Sequence, residues 1–401
     1  AVLAVALALL RFGEHRDLRR AAWLGGFVGL ALATRHTALV LLAVAVVTVA
    51  CTLRRDRRAA AVAALAVFVV SLATLFAVYR LVAPSAPGGA AGQRLASIQA
   101  AGPDHSALAS VVNLLPAPQE WRSGFDYLVI TSGPKPSYLW GQSWRGGRWW
   151  FFPATVPLKV PLPALLVLFG GLGAFRGLDP ERRRWALVGV VAPAVALLAF
   201  VMAQPLDLGV RLVLPSLALW MVAAAGIGAG LVGPRPVREG RAMRAVSRPV
   251  LIAFLGVVLG SQVWASVAAY PNSLAWTPPP FQPGYRWIAD ALGQDLGRLA
   301  TWSQGRHPWV SVERARGFDD PPGSRSLVGA DPSGLRGWVA VDINELTRLH
   351  RDDLAWLRRW CPVGTIGGTI LLYRFASPPG PRPGPSRPPA VCGSNRFSEA
   401  R

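Results

Sequence analysis

Lysine is nearly missing from this chain: of its 42 basic residues only Lys135 and Lys159 are lysines. Charge of any kind is scarce, at 16%, while 52% of the residues are hydrophobic. That composition, unevenly distributed, excludes an ordinary soluble domain. Cysteine occurs only at 51, 361 and 392, and no Cys/His spacing marks a zinc site. Cys361 and Cys392 could be joined in an oxidising compartment, but Cys392 follows S-P-P-G-P-R-P-G-P-S-R-P-P-A, too proline-rich to pack; the pairing stays open. No internal repeat is found. The opening A-V-L-A-V-A-L-A-L-L has neither the basic start nor the cleavage site of a signal peptide. It reads as half a span, so the expectation is a chain lacking its N-terminal spans.

What is present is apolar length. Runs approaching the ~20 residues that cross a bilayer lie at 59–83, 154–175, 185–203, 212–231 and 249–269, with a closer pair at 21–33 and 36–53 and part of a span at 1–10. The formal charge of +21 sits mostly in loops between them. Arg11, Arg16, Arg19 and Arg20 form one cluster, Arg54, Arg55, Arg57 and Arg58 a second. Arg176, Arg182, Arg183 and Arg184 form a third, and Arg235, Arg238, Arg241, Arg244 and Arg248 a fourth. The alternate short turns carry only Arg35 and Arg211. This is the positive-inside pattern, so the basicity reports topology and nucleic acid is not an expected partner. The clustered loops face the cytoplasm. The turn at 34–36, the loop 84–153, the turn 204–211 and the residues after about 270 face outward.

The expected architecture is therefore a polytopic α-helical membrane protein with a small C-terminal α/β extracytoplasmic domain. Its segments are spans over 1–83 (the first incomplete), an external loop with membrane-surface helices over 84–153, spans over 154–269, the external domain over 270–376, and a disordered proline-rich tail over 377–401. Within the external domain, G-Y-R-W-I-A-D-A-L-G-Q-D-L-G-R-L-A-T-W has helical spacing, with Trp287, Leu292, Leu296 and Leu299 on one face. G-W-V-A-V-D-I and G-G-T-I-L-L-Y-R-F read as strands, and D-D-L-A-W-L-R-R-W as a helix between them.

Four places combine charge with apolar surroundings. In R-W-W-F-F-P-A-T-V-P-L-K-V-P-L-P (148–163) the aromatics read as an interfacial belt. With Gln142, Trp144, Arg145 and Arg148 they also form a surface suited to a sugar or a lipid phosphate. Lys159 either snorkels to the outer interface or is an intramembrane site residue among Pro157, Pro161 and Pro163. Asp207 and Arg211, in Q-P-L-D-L-G-V-R-L-V-L-P, form a helix-end pair or hold a phosphate at the outer surface. Arg35 and His36 form an exposed hairpin tip or a pH-sensitive part of the same site.

Together these segments resemble the GT-C glycosyltransferases of the protein O-mannosyltransferase and aminoarabinose transferase clan. G-L-A-L-A-T-R-H-T-A-L-V-L-L is similar to that family's G-L-A-L-x-T-K-x-[ST]-A-L-L-L-L, with Arg35 for Lys. Y-L-W-G-Q-S-W-R-G-G-R-W-W-F-F-P-A-T-V-P-L-K-V-P-L-P is similar to Y-L-x-G-x-x-x-x-G-G-x-W-x-Y-F-P-x-x-x-x-x-K-T-P-L-P. D-L-G-V-R-L-V-L-P looks like N-x-G-x-R-Y-L-L-P, with Asp207 for Asn, and Y-P-N-S-L-A like Y-F-N-E-L-A. G-Q-D-L-G-R-L lacks the family's preceding Asp-Trp.

The resemblance covers most of 20–376. It implies inverting transfer of a sugar from a polyprenyl phosphate to a hydroxyl of a glycan, lipid or protein acceptor, within membrane lipid, at the outer face. A carboxylate acts as base and cations offset charge on the departing phosphate. The family's catalytic Asp lies in the first external loop, expected upstream of residue 1, so no base is assigned. Asp104, Asp126 and Asp207 are the external carboxylates available. Lys159 and Arg211 are carried over to the phosphate, with Arg35 and His36 behind them. No cofactor is assigned, and a divalent metal stays open. The other classes are a transporter or lipid flippase, and a non-catalytic membrane subunit whose external domain binds a partner.

Overall fold

The computed structural model describes residues 1–82, 114, 116–131, 133–174, 179–207, 209–232, 248–289, 291, 293–312, 320–347, 352–376 and 398–399. Within them the chain is largely helical with a small sheet region, in two units: Ala1–Gly133, Leu166–Pro205 and Arg211–Leu251 form one, and Pro134–Leu165, Leu206–Val210 and Ile252–Arg401 the other.

The first unit opens with α1 (Val2–Glu14), α2 (Leu18–Thr34), α3 (Leu39–Thr52), α4 (Arg57–Val82) and α5 (Gln119–Thr131). Asp17 starts α2 by accepting from the Arg20 amide, satisfying a donor that the helix cannot. Helix α2 then lies directly on α4. A Cβ added at Gly25 would stand 2.7 Å from the Val67 carbonyl oxygen, and one at Gly29 would stand 2.5 Å from that of Ser71. The Ser71 hydroxyl lies in the seam, its one proton shared between the Gly25 carbonyl at 3.0 Å and the Val67 carbonyl of its own helix at 2.6 Å. Glycines four apart allow this close approach of two backbones, as small residues do between membrane helices.

Two further helices complete the unit's later part. Helix α8 (Pro180–Met202) is capped by Asp179 and carries a π-turn over Leu187–Val191. Pro193 follows at once and has no N–H to give the regular ladder. Helix α9 (Leu214–Val232) binds it through the Ser216 hydroxyl, which donates to the Ala194 carbonyl at 2.7 Å.

Three helices among the described residues are long and apolar enough to cross a membrane: Arg57–Val82, Pro180–Met202 and Ile252–Ala269, the last within α10 (Arg248–Ala269). Only 11% of the Ile252–Ala269 window is buried, so most of its apolar surface is left open by the described residues. The paired runs at 21–33 and 36–53 become helices of 17 and 14 residues, or ~25 and ~21 Å at 1.5 Å per residue. Both fall short of the ~30 Å hydrocarbon core.

The run at 154–175 is not one helix. It breaks into α6 (Phe151–Lys159) and α7 (Leu162–Ala174), with Val160 extended at φ −106°, ψ 126°. The cause is Pro161, which drives the residue before it out of the helical region and donates no hydrogen bond.

The second unit holds a hairpin, β1 (Pro136–Leu139) and β2 (Gln142–Arg145), and a six-stranded sheet. The hairpin turn is Trp140-Gly141, both at positive φ (51° and 79°), the arrangement that matches strand twist in two-residue turns. The sheet has the order β4-β3-β5-β7-β6-β8: β3 (Trp309–Ser311), β4 (Arg325–Ser326), β5 (Gly337–Asp342), β6 (Gly364–Ile366), β7 (Ile370–Phe375) and β8 (Ser398–Glu399). Strand β3 runs parallel to β4 and β5, β7 runs antiparallel to β5 and β6, and β8 runs parallel to β6.

Both faces of the sheet are covered, so its central strands read as nearly continuous apolar runs. Val339, Val341 and Leu371 pack with Leu354 and Leu357 of the 3₁₀ turn Asp352–Arg359; Ala340, Ile370 and Leu372 pack with Leu296, Leu299 and Trp302 of α11 (Leu296–Ser303).

One expectation is corrected here. The helix read over 284–302 is reduced to a 3₁₀ turn at Gly284–Arg286 and to α11, because Gly293 takes φ 81° between them, and Leu292 lies outside the described residues. D-D-L-A-W-L-R-R-W is helical as read, and winds as 3₁₀. Of the stretch read as a disordered tail only Ser398–Glu399 are described, and they pair with β6. Cys361 is disulfide-bonded and Cys51 is free; Cys392 is outside the described residues.

Candidate functional site

The second unit brings two distant motif segments onto one carboxylate. Asp207 is only 4% exposed. Its Oδ2 accepts from the Trp144 indole Nε1 at 2.9 Å and from the Arg148 main-chain N–H at 3.0 Å. The Ser137 hydroxyl donates to its carbonyl at 3.4 Å. Its Oδ1 is buried with no hydrogen-bond partner. Burial pushes the carboxyl above its ordinary 3.8, opposed by the Trp144 and Arg148 hydrogen bonds and by the Arg148 charge.

An aromatic layer surrounds this carboxylate. The Arg148 guanidinium lies over Trp144 at 4.7 Å and over Trp150 at 5.6 Å, a cation–π arrangement. Trp150 stacks on Trp140 at 6.3 Å and tilts against Trp144 at 5.4 Å. The layer joins an exposed cation, flat apolar faces and a buried acceptor, which are the elements that bind a phosphate or a polyhydroxyl ring. Gln142 is exposed at the start of β2. Phe151 and Phe152 are 2% and 0% exposed, so they are core rather than belt or platform; of the four aromatics at 149–152, Trp149 is the most open, at 69%.

Lys159 is held by main-chain acceptors. Its Nζ donates to the carbonyls of Leu274 at 2.6 Å and Trp276 at 3.2 Å. The ammonium thus fastens the end of α6 to the Y-P-N-S-L-A-W segment, joining two more of the motif stretches within the unit. Lys159→Met is expected to destabilise the protein by about 1.5–3 kcal/mol, the range for hydrogen bonds to a charged group. It should also speed amide exchange over 271–277, read by exchange mass spectrometry; unchanged exchange there would remove the fastening role.

Arg35, His36 and Arg211 belong to the first unit. Arg35 is exposed, in an extended conformation at the end of α2. His36 is half-buried: its Nε2 lies 3.0 Å from the Trp121 carbonyl oxygen, and its ring packs against Trp121 and Phe125 at 4.9 and 5.8 Å. It is a docking residue for α5, not an exposed tip. Trp121, which sequence reasoning missed, adds an indole bond to the Leu32 carbonyl at 3.0 Å. Arg211 sits on the 3₁₀ turn Val210–Leu212, half-buried, with no hydrogen bond or ion pair among the described residues. It forms no helix-end pair there. Asp126 lies on α5, and Asp104 is outside the described residues. No group of three His, Cys, Asp or Glu side chains placed to hold a metal occurs among the described residues.

Compared with family models, with curated proteins and with solved structures, the chain matches none.

Proposed function

We propose that this chain is a membrane glycosyltransferase that moves a sugar from a polyprenyl phosphate to an acceptor hydroxyl at the outer face of the membrane, with inversion. The observation that carries the reading is the Asp207 carboxylate held by Trp144 and by the Arg148 main chain. Those residues come from two separate motif segments of the resemblance, 63 residues apart for Asp207 and Trp144, and they converge beneath a cation stacked on indole faces. The disulfide at Cys361 supports an extracytoplasmic C-terminal domain, since such bonds persist in oxidising compartments.

In this reading Arg148 neutralises lipid phosphate and the indole faces carry the sugar ring, while Arg211 is carried over from the resemblance alone. Trp144 and Asp207 are positioning residues that hold the Arg148 loop. No residue of this sequence is assigned as the base. The transporter reading draws on one observation, the helix break beside Lys159, because transporters bind at interrupted helices. Here, however, the Lys159 ammonium is engaged by two main-chain carbonyls.

The test is transfer from a polyprenyl-phosphate sugar in membranes carrying the full-length protein. Arg148→Gln and Arg211→Ala should each lower turnover by about 10²-fold, as loss of one group stabilising developing charge does. Trp144→Phe should mainly alter the apparent KM. Wild-type turnover in both arginine variants would refute the assignment.

A further inference from the structure

A groove of about 320 Å³ opens in the first unit between α1 and α2, lined by Leu7, Ala8, Arg11, Arg20, Trp23 and Phe27. Its walls divide by chemistry. Leu7 and Ala8 face Trp23 and Phe27, which stack at 6.1 Å, and the two arginines supply the polar end. Leu7 and Trp23 are 55% and 60% exposed, so the described residues leave the apolar wall uncovered.

The basic end is only partly neutralised. Arg11 meets Glu14 at 3.1 Å on the surface. Arg20 donates to the Arg11 carbonyl at 2.8 Å and lies 3.8 Å from Asp17. These are solvent-exposed contacts of small worth, open to exchange. Arg16 reaches Glu181 at 3.3 Å, and Arg19 is exposed with no partner among the described residues. Four arginines in residues 11–20 thus stand against three carboxylates, Glu14, Asp17 and Glu181, which leaves one positive charge in excess.

An apolar trough ending in excess positive charge is complementary to an amphiphile with an anionic head. A free anion would gain nothing from the indole wall, and a zwitterionic lipid offers no net charge to the arginines. We propose that this groove seats one anionic glycerophospholipid, its phosphodiester at Arg11 and Arg20 and an acyl chain along Trp23 and Phe27. The proposal rests on the membrane reading above, but not on sugar transfer.

The test is native mass spectrometry of the full-length protein, released from membranes and equilibrated with phosphatidylglycerol or with phosphatidylcholine of the same chains. Wild type should retain phosphatidylglycerol preferentially. Arg11→Gln alone, which gives up only a surface contact, should cut that preference about five-fold, and Arg11→Gln with Arg20→Gln should cut it by about that factor again. Trp23→Ala should weaken both lipids alike. Arg54→Gln with Arg55→Gln, a basic pair outside the groove, should change nothing. Equal retention of the two lipids by wild type overturns the proposal, as does an equal loss in the Arg54/Arg55 control, which would mean diffuse attraction. Release of the protein from membranes by alkaline wash overturns the membrane reading and this proposal together; retention in washed membranes with no lipid preference sinks this proposal alone.

Discussion

Gly29→Leu is expected to leave little folded protein. A Cβ there would stand 2.5 Å from the Ser71 carbonyl oxygen and 2.6 Å from the Thr74 Cβ, so the first added atom already collides with the α4 backbone and the rest of leucine follows it. Overpacking of a tight core costs about 1–3 kcal/mol, and here α2 and α4 must separate along their whole seam, which places the cost at or above the upper end. The same separation would break the Ser71–Gly25 hydrogen bond. Gly26 is the internal control, because a Cβ there meets nothing within 4 Å. Gly26→Ala should be neutral or should stabilise by up to about 1 kcal/mol through helix propensity. The measurement is the yield and Tm of monodisperse protein after extraction. A normal Tm for the leucine variant would show that the two helices do not rely on this approach.

Asp207 carries the second large effect, and its two substitutions should part company. Asp207→Leu removes the acceptor of both the Trp144 indole and the Arg148 amide, leaving two part-buried donors unpaired. At about 1–3 kcal/mol for each, the loss is about 2–6 kcal/mol, with transfer activity failing alongside. Asp207→Asn keeps a carbonyl oxygen for both donors and should fold. Its stability relative to wild type should depend on pH. Burial holds the wild-type carboxyl above its unfolded value of 3.8, so the stability this group contributes is fully present below 3.8 and is lost as pH rises through the raised folded value. Asparagine has no such loss. The Tm of Asp207→Asn minus that of wild type should therefore grow on going up from pH 3.8 and then level off. A difference that shrinks with rising pH would show that the carboxylate is stabilised as an anion instead.

Much of this fold is legible in apolar length and strand alternation. Gly337–Asp342 and Ile370–Phe375 are strands where β-branched runs predict them, and the long apolar runs are helical. What misled is local backbone chemistry inside an otherwise convincing pattern. Pro161 splits one apolar run, and Gly293 ends a helical spacing before it can form. The hairpin at 136–145 had a signal, a Gly at the second place of a two-residue turn, but its aromatics read first as a membrane belt.

The site was less legible because its contacts are long-range. Nothing near Asp207 in the sequence calls for Trp144, yet a buried indole N–H needs an acceptor and finds it 63 residues away. The partners of Lys159, two carbonyls at 274 and 276, likewise lie far along the chain, beyond α10. The Gly25 and Gly29 notch lies in plain view in L-G-G-F-V-G-L, but only the opposing helix gives it meaning.

The hairpin that holds Trp144 owes its position to residues much later in the chain. Leu139 bridges to Ile288, the Trp140 amide donates to the Trp287 carbonyl at 2.9 Å, the Tyr138 hydroxyl to that of Arg286 at 3.0 Å, and the Ser143 hydroxyl to that of Thr347 at 2.6 Å. A premature stop anywhere between 270 and 285 would therefore be felt at Trp144, although every helix of the chain before it is still encoded. The C-terminal residues cannot be exchanged as a cassette for those of another protein without carrying the hairpin along, and a graft joined at 270 would separate the indole from the backbone that aims it.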